Sequence, residues 1–183
     1  MPFGISPNGT IVGCYHQSDP NGNVIVETMH GFVMTAAGAS LDPLARAMHT
    51  GVNPSGDITG NYSDPALGGA FRNSYIISHG AWRWFTYPGS KVTRSWDISA
   101  TGDVAGWYKD SSGNYHGFLF HARDEGAQRD DDRSLRGTMT SIDVDLPGVL
   151  ATYAYGINAD GDIVGYYEDS AGLHGFLLSH REE

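Results

Sequence analysis

The residues of this sequence with the clearest potential for chemistry stand where a repeated phrase departs from its own pattern. Four segments of the chain read alike, and the position held by Gly4, Gly51 and Gly156 in three of them carries Asp97 in the remaining one. A carboxylate on an inner strand is costly to bury without a partner. Because partial removal from water raises the pKa of a carboxyl group, Asp97 is a candidate general acid or base.

Two other side chains are candidate partners of Asp97. Arg94 lies three residues earlier, and His49 occupies the corresponding strand of the second segment. Together these three residues form the predicted catalytic set of an enzyme that lacks a covalent nucleophile, such as an isomerase, a cyclase or a lyase. The alternative interpretation of Asp97 is a structural ion pair or a charged residue facing a solvated channel.

A second candidate site surrounds a tyrosine that is repeated in all four segments. The residues on either side of this tyrosine vary and include flat aromatic rings and single polar groups. If the second strands of the repeat place them at one end of the fold, they line a mouth suited to a small molecule or a glycan. Ordinary variation on a solvent-facing edge is the alternative. The predicted ligand-binding residues are Trp96, Trp107, Tyr166, Asn61, His16, Lys109 and Glu168.

Established catalytic motifs are absent from the sequence. It contains no Gly-x-Ser-x-Gly turn, no phosphate-binding glycine loop before a helix and no His-Glu-x-x-His helix. Cys14 and His16 suggest a cysteine nucleophile with a histidine base. However, residues two apart on a strand are ~6.5 Å apart, so hydrogen-bond contact does not follow from their spacing.

Metal and cofactor sites are likewise not predicted. His30, His116 and His174 recur at one position of the repeat, where hydrogen bonding within each unit explains them better than a shared zinc ion. The acidic run from Asp130 to Asp132 lacks the alternating spacing of a calcium loop and is flanked by arginines. We therefore expect neither a bound metal nor a cofactor.

The elements that must position these residues follow from the repeat itself. The repeated phrase runs from Ile5 to Tyr15 and returns at intervals of 47, 46 and 59 residues. Each copy contains a turn dipeptide ending in glycine between two apolar runs, which is typical of a β-hairpin. The repeated Gly-x-Tyr predicts an aromatic ring that packs against bare backbone.

These units predict a single all-β domain spanning residues 1–183. We expect a small β-propeller with four blades of four antiparallel strands each, in which the last blade is incomplete. Five blades completed by another chain, or an open array, are the alternatives. The incomplete last blade leaves a strand edge through which the chain could form a homo-oligomer. The predicted units are approximately 1–47, 48–93, 94–152 and 153–183.

Charge and hydropathy narrow the range of partners. The formal net charge is −10, and the chain has no Lys/Arg cluster that would neutralise phosphates, so we expect no nucleic-acid partner. It also has no apolar run of ~18 residues, so we expect no membrane association. The sequence as written begins without an export signal and holds a single cysteine, Cys14, which predicts a cytoplasmic location.

The repeat resembles the HAF family of bacterial extracellular repeats, whose units combine G-I-N-x-x-G-x-I-V-G-x-Y, H-G-F-L and I-D-x-P-G. This resemblance covers almost the whole chain and implies a propeller-like all-β fold and an exported protein, in contrast to the expected cytoplasmic location. It implies no catalytic residues. The matching residues are Gly156-Ile157-Asn158, Gly161, Ile163-Val164-Gly165, Tyr167, His174-Gly175-Phe176-Leu177, Ile142-Asp143 and Pro147-Gly148.

Overall fold

The structure is a computed structural model that describes residues 1–67, 71–122 and 134–179 of the chain. Its regular structure is almost entirely β, with one short 3-10 helix at Pro65–Leu67. No helix in these ranges is long and apolar enough to cross a membrane. In chain order the strands are β1 (Pro2–Ile5), β2 (Ile11–Ser18), β3 (Val24–Thr35), β4 (Gly38–Ala45), β5 (Ala47–Val52), β6 (Ile58–Ser63), β7 (Phe71–Ser78), β8 (Ala81–Phe85), β9 (Val92–Ile98), β10 (Val104–Lys109), β11 (Tyr115–Ala122), β12 (Gly137–Ile142), β13 (Ala151–Ile157), β14 (Ile163–Asp169) and β15 (Gly172–Leu178).

The strands form four antiparallel units in sequence order. Strands β1 to β4 form one sheet and β5 to β8 a second, each with its strands in chain order. Strands β9 to β12 form the third unit and β13 to β15 the fourth. The last two units join into one seven-stranded sheet through a single parallel bridge between Tyr115 and Ala151. The predicted hairpin turns are present. The glycine of each turn has the positive φ that such turns require, as at Gly9 and Gly102.

A glycine in the second strand of each unit lies beneath an aromatic ring. Gly106 on β10 is the register partner of Phe118 on β11. A Cβ atom at Gly106 would lie 2.1 Å from the carbonyl oxygen of Arg94 and 2.9 Å from the Phe118 ring. The prediction that the repeated tyrosine covers this glycine is therefore wrong, because an aromatic residue of the third strand holds that place. The repeated tyrosine instead stacks sideways, as Tyr108 does on Tyr87 with ring centroids 3.6 Å apart.

The hydrophobic core lies between successive units. The first strand of each later unit, β5, β9 or β13, packs on the second and third strands of the unit before it. Val12 of the first unit thus shares a buried cluster with Val52 of the second, and Ala105 of the third shares one with Ala154 of the fourth. Each joint removes apolar area from water, which is the main favourable contribution to folding.

The all-β prediction is confirmed, and so is the build from antiparallel units. The closed four-bladed propeller is wrong as stated, because the third and fourth units merge into one curled sheet and both ends of the array are exposed. At the beginning Ile5 is 69% exposed, and at the other end Val164 is 48% exposed. The fourth unit has three strands within the described residues.

Candidate functional site

The first strands of the four units meet at the centre of the molecule. A Cβ atom on Gly4 would lie 3.2 Å from the Cα atom of Gly51, and one on Gly51 would lie 2.9 Å from the Cα atom of Asp97. Gly156 lies next in this row, and a Cβ atom built on it would lie 3.8 Å from a carboxyl oxygen of Asp97. The position that distinguishes Asp97 from three glycines is therefore a place where backbones approach closely.

Each first strand carries an irregularity at the same place. The register shifts between Pro2 and Gly4, and the equivalent shift recurs in β5, β9 and β13. A β-bulge inserts an unpaired residue and re-aims its side chain, and such bulges are frequent next to functional sites. The unpaired residues are Phe3, Thr50, Trp96 and Tyr155.

These four bulged residues line one central cavity. Its volume is about 320 Å³, and Gly4, Ile5 and Asp97 complete its wall. The Trp96 ring lies 4.8 Å from that of Tyr155 and 6.2 Å from that of Phe3, measured between centroids. Of the predicted site residues, Trp96 and Asp97 thus lie together. Phe3, Thr50 and Tyr155 were missed, although aligning the four copies one position before Gly4 places them with Trp96.

Asp97 is held by backbone hydrogen bonds at the junction of the third and fourth units. Its two oxygens accept from the N–H of Ile98 at 2.9 Å and from the N–H of Ile157 at 3.1 Å. Burial raises the pKa of Asp97, and these two hydrogen bonds oppose the rise. The carboxyl group is therefore fixed in orientation and has a reduced preference for the ionised form.

The two predicted partners of Asp97 make their contacts elsewhere. His49 is fully buried, and its Nδ1 lies 2.7 Å from the hydroxyl of Tyr75. Burial lowers the pKa of His49 to about 4, so the imidazole is neutral at pH 7. Arg94 lies over the ring of Trp107, 5.8 Å from its centroid. The hydrogen bond of His49 to Tyr75 replaces the expected pairing with Asp97.

An extended aromatic group continues outward from the cavity. Tyr166 stacks on Tyr155 at 5.5 Å and lies 4.8 Å from Tyr153. Trp107 meets Tyr153 edge-on at 5.6 Å. Burial, together with the neighbouring Tyr115 and Glu168, raises the pKa of Tyr153 to about 12, so its hydroxyl is a neutral donor and acceptor.

Charged groups border this aromatic group. The ammonium of Lys109 donates a hydrogen bond to the hydroxyl of Tyr115 at 3.2 Å and lies 4.8 Å from the centroid of that ring. Burial and the neighbouring Tyr155 and Tyr153 raise the pKa of Tyr166, and Glu168, which is exposed on β14, adds a smaller contribution in the same direction. Of the predicted ligand-binding residues, Trp96, Trp107, Tyr166, Lys109 and Glu168 therefore belong to one region.

Asn61 and His16, the two remaining predicted ligand-binding residues, lie away from this region. Asn61 is fully buried and joins the second unit to the third, because its side chain donates to the carbonyl of Ser95 and accepts from the N–H of the same residue. A hydroxyl group, that of Ser74, also donates to Asn61. His16 lies on β2 with Nδ1 3.3 Å from the carbonyl oxygen of Gln17. Neither residue lines the central cavity.

Two indole groups of the site are buried without an acceptor. The Nε1 atoms of Trp96 and Trp107 have no hydrogen-bond partner in the part of the chain that the structure describes. An unpaired buried donor costs free energy.

The repeated histidines make hydrogen bonds within their own units. His116 lies 2.6 Å from Asp143 and 3.4 Å from Asp110, and it stacks on Tyr108. His174 makes an equivalent stack on its neighbouring tyrosine. Partial burial raises the pKa of Asp110, but hydrogen bonds from Asn114 and Gly113 outweigh it and lower the value to about 2.

Metal ligation has no geometric support in the ranges that the structure covers. Within 1–67, 71–122 and 134–179, no group of three or more His, Cys, Asp or Glu side chains is arranged to hold a metal ion. The acidic run from Asp130 to Asp132 lies outside the described residues. Cys14 is buried, and burial raises the pKa of its thiol, which disfavours the reactive thiolate.

No protein-family model matches this chain, and no curated protein matches it. The resemblance to HAF-type repeats therefore stays a prediction. The functional proposal rests on the geometry of the central cavity and of the aromatic group beside it.

Proposed function

We propose that the protein is a non-catalytic binding module that holds one ring of a glycan, or a small organic molecule of similar size, in the central cavity. The observation that carries this proposal is the bulge in each first strand, which directs Phe3, Trp96 and Tyr155 into one cavity. Rings held by paired strands lose little conformational freedom on binding, and preorganisation of this kind strengthens binding.

The charge of the site limits the chemistry of the ligand. Asp97 presents acceptor oxygens beside Trp96 and Tyr155, and the whole chain carries a net charge of −10. Both features disfavour an anionic ligand. A neutral sugar fits, because its hydroxyl groups donate to the carboxylate while its ring lies against an aromatic face.

Binding is tested by titrating neutral, amino and acidic oligosaccharides into the protein and following heat and tryptophan fluorescence. We expect Trp96→Ala to weaken binding of a neutral sugar by roughly tenfold, the equivalent of one lost aromatic contact. Trp82→Ala is the matched control, because Trp82 is also half-buried but lies on β8 against Tyr75. Equal losses in both variants, or binding of acidic sugars only, would contradict the proposal.

A second candidate function is catalysis by Asp97 as general acid or base. Its place in the cavity wall and the rise of its pKa on burial favour this role. The hydrogen bonds from Ile98 and Ile157 favour a structural role instead, because they fix the carboxyl group at the junction of two units and oppose the rise of its pKa, while each oxygen can still accept a further hydrogen bond. This balance makes binding the better supported function.

The two functions separate in one measurement. A sugar that binds is incubated with the protein and followed by NMR for any change of covalent structure or anomeric configuration. Loss of turnover in Asp97→Asn with binding retained would establish the enzyme. A ligand that stays unchanged with the unmodified protein would leave binding as the function.

We further propose that the four units are blades of an open propeller of the HAF type. The recurrent register of glycine under aromatic ring supports this, and so does the packing of each first strand on the unit before it. An experimental structure that shows a twisted stack with no common axis would overturn it.

A further inference from the structure

The first strand of the chain differs in burial from its three counterparts. Val52, Ile98 and Ile157 occupy one position in β5, β9 and β13, and each is at most 8% exposed. Ile5, at the same position in β1, is 69% exposed. The difference arises because each later first strand packs on the unit before it, whereas the outward side of β1 is exposed.

The opposite end of the array shows the complementary difference. Val12, Thr59 and Ala105 occupy one position in the second strands, and each is fully buried by the first strand of the next unit. Val164 at this position in β14 is 48% exposed, and Leu177 beside it on β15 is 64% exposed. We call this exposed side of β14 and β15 the terminal face.

The internal joints show what kind of element covers such a face. In each joint a residue of the first strand lies on a small residue of the preceding third strand. The ring of His49 lies directly above Gly31, and the Cβ atom of Ala154 lies 3.4 Å from the position of a Cβ on Gly117. The element that fits is a first strand, with a small or flat residue at this point.

If the two ends of the array packed together as the internal joints do, Pro2 of β1 would lie on Gly175 of β15. Pro2 is the counterpart of Ala154, because each is opposite the repeated glycine of its second strand. Gly175 is the counterpart of Gly117, and a Cβ atom built on it would meet only the carbonyl oxygen of Gly165, at 3.9 Å. The terminal face therefore has room for the residue that β1 presents.

We propose that β1 of a second copy of this chain covers the terminal face, so that copies associate head to tail. The three internal joints are the template for this contact, and β1 is the first strand whose outward side remains exposed. Such an interface is heterologous: the two copies use different surfaces, and repeated addition gives a closed ring or a filament. This contact does not depend on the proposed ligand.

Mass measurements on mixed variants test the head-to-tail arrangement. Light scattering and sedimentation across the micromolar range should show oligomers for the unmodified chain. Ile5→Asp places a charge on the exposed side of β1, and Leu177→Asp places one on the terminal face. Each variant alone should therefore be monomeric. A mixture of the two should form a dimer and nothing larger, because each copy keeps one competent surface. Leu41→Asp is the control, since Leu41 is similarly exposed, at 58%, but lies on β4.

A monomeric unmodified chain at all concentrations would overturn the proposal, and so would loss of association in Leu41→Asp. A cross-link gives a test that does not depend on the aspartate variants remaining folded. At the equivalent internal joint, the Cβ atom of Ala154 lies 3.4 Å from a Cβ built on Gly117, which is close enough for a disulfide. Pro2→Cys combined with Gly175→Cys should therefore oxidise to dimers and larger species on a non-reducing gel. A disulfide formed only within monomers would show that β1 closes on its own chain, which contradicts association between copies.

Discussion

The buried imidazole of His49 should make the free energy of unfolding depend on pH between about 7 and 5. The side chain is fully buried, and burial lowers its pKa to about 4 in the folded protein, against 6.5 for an exposed histidine. As the pH falls below 6.5, the unfolded chain binds a proton at this residue and the folded chain does not. Protons therefore favour unfolding, and stability falls as the pH decreases.

The size of the effect follows from the two pKa values. A difference of this size is worth roughly 3 kcal/mol when the pH lies below both values, and about 2 kcal/mol of it is lost between pH 7 and pH 5. Asp42, whose carboxylate lies 3.9 Å from Nε2, does not outweigh this effect of burial, since the pKa of His49 remains about 4.

Urea denaturation at a series of pH values, for the unmodified protein and for His49→Gln, measures this contribution. Glutamine retains a polar group near Tyr75 but does not titrate. The difference in unfolding free energy between the two proteins should therefore shrink by about 2 kcal/mol from pH 7 to pH 5. Parallel curves for the unmodified protein and His49→Gln would refute the assignment of a buried neutral imidazole.

Three further predictions concern the joints and the sheets. Gly106→Ala should lower the unfolding free energy by roughly 2 kcal/mol, because its Cβ atom would meet the Arg94 carbonyl and the Phe118 ring. Gly175→Ala, on the open terminal face, should change it by less than about 0.5 kcal/mol when measured on the monomer by denaturation. Asn61→Ala should cost about 2 to 3 kcal/mol, because buried groups of the next unit lose their partners; a loss under about 0.5 kcal/mol would contradict that role.

The sequence was informative where the physics is local. The turn glycines need positive φ, so Gly9 and Gly102 could be assigned to hairpins from their dipeptides alone. The two histidine and aspartate motifs of the repeat also come together within one unit. The ring of His116 on β11 is hydrogen-bonded to the carboxyl group of Asp143, which directly follows β12 and is 27 residues later in the chain. Such contacts recur in a unit and depend little on how units are arranged.

Features that depend on packing between units could not be derived in this way. Asn61 looks like a site residue in the sequence because it differs from its counterparts, but its amide is hydrogen-bonded to Ser95 of the next unit and to Ser74 of its own. Phe3 and Thr50 share no chemistry. Aligning the four copies groups them at one position, but the bulge that brings this position of each unit to one cavity is a feature of the folded sheets. Closure likewise depends on the rotation accumulated over three joints, which no short stretch of sequence specifies.

The bulge has a consequence for altering the specificity of this protein. Each bulged residue is held in place by the register of its own strand pair and has no partner across the sheet, as for Trp96 between the pairs Ser95–Gly106 and Asp97–Ala105. Replacing such a side chain therefore leaves the ladder of hydrogen bonds intact. Three of the four positions, Phe3, Trp96 and Tyr155, can thus be randomised in a library that alters the shape of the cavity. Thr50 is kept, because its buried hydroxyl donates to the carbonyl groups of Thr59 and Ser95 and so joins the second unit to the third.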